Sequence, residues 1–278
     1  MKTYYITLKR LRRRATHIKT HVNKLELDCI KVPAVDGKNL TREDILKECD
    51  VEHFVKKRAS HWPIKGTIGC TLSHKQAYTQ FLTTPAPSAF IIEDDAVLPT
   101  NIKSILNDIA KVIQPDEVVL LYHIAIMMNP IDVSNLDSKK LPNSDLGLYF
   151  PMELKGLFSS AAYCIGREAA NGILNTNTPI KAEVDRWDYF YSQGAFNSLR
   201  ILYPSPITIK NFKSSVGYPQ KGGLRKQIAN FSNKYKIPIL YQYQKKRQAD
   251  RLKQKENNIT LVDRKSPLFG KITTTAKM

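Results

Sequence analysis

The chain has 278 residues, 42% of them hydrophobic, which suits one large α/β domain or one such domain with a C-terminal appendage. Its 43 Lys+Arg against 25 Asp+Glu give a net charge of +18, a field that favours anionic partners without choosing among nucleic acid, an anionic membrane face and phosphorylated glycans or nucleotides. Four scattered cysteines without metal-ligand spacing argue against a disulfide framework, no run reaches the roughly 18 apolar residues of a membrane span, and the basic N-terminus lacks a signal peptide's apolar stretch, so a soluble or peripheral protein of a reducing cytoplasm is expected.

Tyr4, Ile6 and Leu8 alternate with Tyr5, Thr7 and Lys9, which predicts a first strand. Arg10 to Leu25 then reads as a basic helix, with Leu11, Ile18, Val22 and Leu25 near helical spacing. Cys29 to Val35 reads as a second strand ending at the turn dipeptide Asp36-Gly37; strand, helix, strand is the opening of a parallel α/β sheet. Leu40 to Lys57 reads as one helix. Gly66 and Gly69 are expected to break the chain before a helix over Cys70 to Leu82. Pro85 and Pro87 mark a loop before a strand at Ala89 to Ile92, followed by a helix over Asn101 to Ile113 and a strand over Val118 to Ile126. Asn129 to Tyr149, rich in Asn, Asp, Ser, Lys and Pro, reads as a loop or lid too long to be a simple connection. Phe158 to Ile165 returns to strand character, with a helix over Arg167 to Leu174. Beyond Lys210 the chain is basic and weakly patterned, which sets a catalytic domain over 1–215 apart from a basic segment over 216–278. Within that segment Tyr235 to Lys255 could lie on an anionic membrane, each basic residue adding about 1 kcal/mol, or be disordered.

The run FIIEDDAV, Phe90 to Val97, carries the most chemistry. An apolar strand ends in Glu93-Asp94-Asp95, and in open α/β sheets ligands bind at the C-terminal edge of the strands. Three clustered carboxylates repel one another, and a hard divalent cation compensates them and brings a diphosphate with it. The alternative is a solvated acidic turn after a core strand. The run Gly66 to His74 places two glycines before a helix, whose N-terminus presents free N–H groups to anions, although glycines in such places are more often structural. His74 is a candidate base or a packing residue, and Cys70 a small buried residue rather than a nucleophile. Glu183-Val184-Asp185-Arg186-Trp187-Asp188 is a second acidic group, in which Asp185 and Asp188 would share a helix face. Either could act as general base for an acceptor hydroxyl; the alternative is a helix cap at Asp185 and a solvated Asp188. Lys210 to Lys226 mixes Lys, Arg, Ser and Gly in a way that suits phosphate oxygens or a solvated loop.

These pieces occur in the order seen in glycosyltransferase family 25, the bacterial lipooligosaccharide glycosyltransferases that include β-1,4-galactosyltransferases. The chain resembles that family in Tyr4-Tyr5-Ile6-Thr7-Leu8, the Arg-rich helix, Val32-Pro33-Ala34-Val35-Asp36-Gly37, the Gly66 to His74 block and Ile92-Glu93-Asp94-Asp95. Ser160 to Ala170 resembles its Tyr-containing strand and Ala-rich helix, and Val184-Asp185 its short acidic block. The resemblance covers roughly residues 3 to 215. It implies a GT-A-like nucleotide-sugar-binding mixed sheet flanked by helices, with Mn²⁺ or Mg²⁺ held against the diphosphate of a UDP-sugar, UDP-galactose first among them. Carried onto this chain, the metal ligands are Asp95 and then Glu93, since residues two apart in an extended segment project to one side and Asp94 projects elsewhere, toward the ribose. Asp185 is the candidate general base and Asp188 the second. The donor would be held by Thr7, Gly69, Ser73, Asp94, Ser214 and Ser215. Thr7 stands where the family usually has Asn, and Cys164-Ile165-Gly166 matches loosely. The implied reaction is inverting transfer to a phosphorylated lipooligosaccharide acceptor at the cytoplasmic face of the inner membrane, with no nucleic acid partner. Two rivals stand beside it: a basic nucleic-acid-binding or metal-dependent nuclease protein, suggested by the charge and the acidic cluster, and a family relative that has lost catalysis and only binds glycan or membrane. The dispersed basic residues and the absence of a nucleic-acid motif weigh against the first.

Overall fold

The structure is a computed structural model describing residues 1–56, 62–126, 128, 130–142, 144–212, 216 and 258–269. Eight strands make the central sheet: β1 (Lys2–Thr7), β2 (Cys29–Pro33), β3 (Ser88–Glu93), β4 (Glu117–Leu120), β5 (Lys139–Lys140), β6 (Gly147–Tyr149), β7 (Ala162–Gly166) and β8 (Ser198–Tyr203). Their order across the sheet is β2-β1-β3-β7-β4-β8-β6-β5. The pairs β1/β2, β1/β3 and β4/β8 are parallel, whereas β7 runs antiparallel between β3 and β4, and β6 antiparallel to β8. The fold is therefore a mixed α/β sheet. The C-terminal ends of β1, β2, β3 and β4 and the N-terminal end of β7 meet along one edge.

Both faces of the sheet are covered, which is why its central strands are apolar along their whole length. Period-two alternation sends Tyr4, Ile6, Ile91 and Tyr163 to one face. There they pack with Tyr78 and Phe81 of α4 (Lys65–Leu82) and Ala169, Ala170 and Ile173 of α6 (Arg167–Thr176). The intervening residues Tyr5, Phe90, Ile92 and Cys164 pack on the other face. Their partners are Ile18 and Val22 of α1 (Arg12–Lys24) and Ile102, Ile105 and Ile109 of α5 (Ile102–Ala110). Three two-stranded ribbons complete the framework: Ala96–Val97 with Thr208–Ile209, Ile124–Ala125 with Leu157–Phe158, and Ile131–Ser134 with Ile259–Val262. Among the described residues no helix is long and apolar enough to cross a membrane, and all four cysteines are free thiols.

Several sequence expectations change. The helix expected over Leu40 to Lys57 is two, α2 (Arg42–Glu48) and α3 (Val51–Val55). The chain opens at Cys49, which bridges to Ile180, and Asp50 caps α3 by accepting from the His53 N–H. Gly66 and Gly69 do not break the chain; they lie inside the first turns of α4, where other backbone crosses too closely for a side chain. A Cβ on Gly69 would stand 2.7 Å from both Gly37 N and Val35 O, and one on Gly66 2.0 Å from Val216 O. The expected loop or lid over Asn129 to Tyr149 contains Ile131–Ser134, β5 and β6, two of which extend the main sheet. The strand expected over Phe158 to Ile165 is broken at Ser159, which has φ 105°, so that Leu157–Phe158 leaves for a ribbon and β7 begins at Ala162. The segment set apart at 216–278 returns to the domain at its end: Ile259–Val262 pairs with Ile131–Ser134, and Leu268 enters the core. The tail over Tyr235 to Lys255 lies outside the described residues, as do Ser214 and Ser215.

Candidate active site

β3 buries Ala89 to Ile92 completely and then delivers Glu93, Asp94 and Asp95 to the edge. The parallel register sets Ile6 of β1 opposite Glu93, which puts Thr7 beside Asp94. Thr7 Oγ1 donates to Asp94 Oδ2 at 2.8 Å. Arg14 of α1 closes the corner, its Nε donating to Asp94 Oδ1 at 2.5 Å and its Nη2 to Asp95 Oδ2 at 2.7 Å. Arg14 lies on the buried stripe of α1 with Ile18 and Val22, so its guanidinium is held under the acids rather than in solvent. The guanidinium also faces the Phe212 ring at 5.7 Å.

Glu93 turns the other way. Ser160, just before β7, donates its hydroxyl to Glu93 Oε1 at 2.7 Å, and His74 Nε2 of α4 lies 3.4 Å from the same oxygen. His74 is fully buried, and its Nδ1 is 2.8 Å from the Tyr163 hydroxyl, which is 2.7 Å from that of Tyr78.

A cleft of about 560 Å³ opens above these groups, with Glu93, Asp95, Asp185 and Glu183 in its polar lining and Ile124, Ile126 and Phe158 among its apolar walls. A smaller cavity of about 60 Å³ adjoins it and takes Thr7, Arg14, Ser73 and Asp94; Cys70, Glu93 and Val216 border both. Glu93 and Asp95 thus face the large cleft together while Asp94 faces the small one, the alternation of an extended segment.

The charges are poised unequally. Burial pushes the Asp95 carboxyl up to about 6, helped by the negative charge of Glu93 and opposed by Arg14. For Glu93 burial acts upward as well, but His74, the Ser160 hydroxyl and Arg14 outweigh it and hold the carboxyl below its ordinary value. Burial raises Asp185, moderated by the Ser159 N–H that Oδ2 accepts at 3.3 Å and reinforced by the charge of Glu93. The residues fit a hard divalent cation: Asp95 Oδ1 is buried without a hydrogen-bond partner, and two oxygen-donor side chains face one cleft.

Other sequence candidates land differently. Asp185 and Asp188 do not share a helix face, because α7 (Trp187–Ser192) begins after Asp185. Asp185 does not cap that helix either; its carboxylate faces the cleft and the Ser159 backbone. Asp188 is held by Arg186, whose Nε and Nη2 reach its two oxygens at 2.9 and 3.0 Å, and it does not border the cleft. Gly69 borders neither cavity, since its open side is filled by the Val35 to Gly37 backbone. Ser73 borders the small cavity, but its hydroxyl is committed to backbone, accepting from Val35 N at 2.8 Å and donating to Gly69 O at 2.6 Å. Sequence reasoning missed Arg14, Ser160 and the contact of His74 with Glu93. Only Arg14 left a signal: a charged residue four before Ile18 and eight before Val22 falls on an apolar stripe and needs a buried anion.

Comparison with known proteins sorts this geometry. No curated protein matches the chain. A solved structure named as a glucose-1-phosphate thymidylyltransferase from Bacillus anthracis, in complex with a sucrose, is 9% identical, covering 78% of this chain and 98% of its own with a TM-score of 0.37; at that score the likeness carries no argument. A sequence model of glycosyltransferase family 25 (LPS biosynthesis protein) matches residues 1–187, which takes in the acid motif, the α4 block and Asp185. The chain belongs to glycosyltransferase family 25.

Proposed function

We propose that the protein is an inverting glycosyltransferase with a GT-A-like catalytic domain, moving a sugar, galactose first among the candidates, from a UDP-sugar to a lipooligosaccharide or lipopolysaccharide acceptor. The observation that carries this reading is one cleft at the C-terminal sheet edge that joins Glu93 and Asp95 to the separately anchored Asp185. Family membership supports the reaction class.

Asp95 and Glu93 would hold Mn²⁺ or Mg²⁺. When bound, that ion would neutralise charge growing on the departing nucleoside diphosphate. Arg14 holds Asp94 and Asp95 in place, leaving Asp95 Oδ1 directed away from the pair. Asp94 and Thr7, at the smaller cavity, would receive the ribose. Asp185, kept basic by burial, takes the acceptor hydroxyl's proton as that oxygen attacks the anomeric carbon from the face opposite the leaving group. The sugar passes through an oxocarbenium-like state, and its configuration inverts. The apolar wall of Ile124, Ile126 and Phe158 shields the reaction from water. The net charge of +18 suits a phosphorylated acceptor displayed on an anionic membrane face.

The test is a panel of nucleotide sugars incubated with the protein and Mn²⁺ or Mg²⁺, reading nucleotide release, followed by transfer to a lipooligosaccharide acceptor and the anomeric configuration of the product. Metal-dependent release of UDP, largely removed by Asp95→Asn, is the expected result. Full turnover in that variant and in EDTA would reject the metal role, and retention of configuration would reject direct displacement.

A further inference from the structure

Cys70 and His74 stand four residues apart on α4, so both side chains leave one helix face. That face meets the tip of β3. The Cys70 sulfur, a His74 ring nitrogen and a Glu93 carboxylate oxygen all lie within 4.8 Å of one another. His74 is fully buried, yet its Nε2 makes no hydrogen bond and points at Glu93 Oε1, 3.4 Å away. Its other nitrogen is engaged by Tyr163, itself backed by Tyr78. An outer partner on one ring nitrogen is how proteins fix the tautomer and aim of a metal-binding imidazole. Cys70 is partly exposed and borders both cavities, which gives an ion a way in.

We propose that Cys70, His74 and Glu93 form a binding site for a thiophilic divalent cation of the Zn²⁺ class, separate in its chemistry from the oxygen-donor pair Asp95 and Glu93. A thiolate, an imidazole and a carboxylate are the ligands Zn²⁺ takes in tetrahedral sites with one open position, whereas Mg²⁺ and Mn²⁺ prefer oxygen. Ligand atoms around a tetrahedral zinc ion are about 3.5 Å apart, from bond lengths of roughly 2.0 to 2.3 Å, so the three groups need only a small closure. On binding, the Cys70 S–H bond is replaced by a sulfur–metal bond and the proton leaves to solvent; nothing is oxidised or reduced. Sharing Glu93 makes the two sets compete, a consequence that rests on the proposed role of Glu93 in catalysis. The site itself rests on geometry alone.

Co²⁺, a spectroscopic substitute for Zn²⁺, titrated into the metal-free full-length protein tests this without donor or acceptor. One equivalent is expected to bind with a near-ultraviolet thiolate-to-cobalt band that equimolar Zn²⁺ displaces, whereas Mg²⁺, competing only through Glu93, weakens it only in large excess. Cys70→Ser loses the band, Cys29→Ser keeps it, and His74→Gln weakens Co²⁺ binding by roughly tenfold or more. In the unmutated protein, Zn²⁺ protects Cys70 from alkylation, mapped by mass spectrometry, so the question does not depend on how the variants fold. No band in the unmutated protein, a band that survives Cys70→Ser, or alkylation of Cys70 indifferent to Zn²⁺ would each overturn the site. None of these results depends on sugar transfer, so failure here and failure of the proposed reaction are told apart.

Discussion

Asp95→Asn should make the metal-free protein more stable while removing the turnover that the proposed mechanism assigns to a metal at Asp95. Burial and Glu93 raise the Asp95 carboxyl from 3.8 to about 6, and its side chain is only 18% exposed, so solvent screens little of this. A carboxyl raised in the folded state binds its proton more tightly there than in the unfolded chain. Stability is therefore lost as pH rises from about 3.8 through about 6, and the whole penalty is present above that window. At about 1.4 kcal/mol per unit, the shift corresponds to roughly 3 kcal/mol at pH 8. Asn removes the charge and keeps the shape, but Arg14 loses one of its two ionic partners and retains Asp94 at 2.5 Å. The net gain is expected at about 1 to 3 kcal/mol. With an unfolding entropy of roughly 0.6 kcal/mol/K for 278 residues, that is a rise in Tm of about 2 to 5 °C. Differential scanning calorimetry in EDTA at pH 8 and pH 5 is the assay. The gain should fall to about half at pH 5, where Asp95 is already largely protonated in the folded protein. A variant that melts lower than the unmutated protein at pH 8, or a difference that grows toward pH 5, would refute the electrostatic reasoning.

Asp185→Asn should lower kcat by about 10²- to 10⁴-fold, the range for a general base, with UDP binding unchanged in calorimetric titration. Because burial raises the Asp185 carboxyl and the base must be ionised, the acid limb of the kcat/KM profile should fall at a higher pH than an ordinary aspartate would give. Gly69→Ala should cost about 1 to 2 kcal/mol in urea unfolding. Helix propensity alone would gain about 1 kcal/mol, but the added Cβ meets the Gly37 and Val35 backbone at 2.7 Å, so a stabilised variant would mean this contact is absent. Arg200→Ala leaves Glu117, fully buried, without the guanidinium that donates to it at 2.5 and 2.7 Å, and should cost about 3 to 5 kcal/mol at the end of the sheet remote from the cleft. Turnover per folded molecule should not change in that variant; a loss of kcat at a temperature where it is folded would contradict the separation.

What the sequence made legible is what local chemistry decides. β1 is legible from its period-two alternation and β3 from its unbroken apolar run, and the acidic tip stands out because three clustered carboxylates at the end of such a run repel one another unless compensated. The α4 glycines mislead for the converse reason: alone they disfavour helix, but they stand inside one because other backbone, Val216 at Gly66 and Val35 to Gly37 at Gly69, crosses too closely for any side chain. β5 and β6 hide in a polar stretch because two- and three-residue strands are made by their neighbours in the sheet, not by their own composition. The same division runs through the site. Asp95 and Asp185 could be picked out one at a time, each from an acidic block. Asp188, in the same block as Asp185, could not be dismissed, because only the structure shows Arg186 closing on it. Arg14, Ser160 and His74 draw their meaning from contacts 80, 67 and 19 residues away along the chain: Arg14 with Asp94, Ser160 and His74 with Glu93. Of these only Arg14 was open to inference, because a guanidinium on an apolar helix stripe must find a buried anion, and the chain offers a concentrated set of carboxylates at the end of an equally buried strand. Pairing misplaced charges in this way, a cation on one buried stripe with an anion on another, joins α1 to β3 and points to the cleft from the sequence alone.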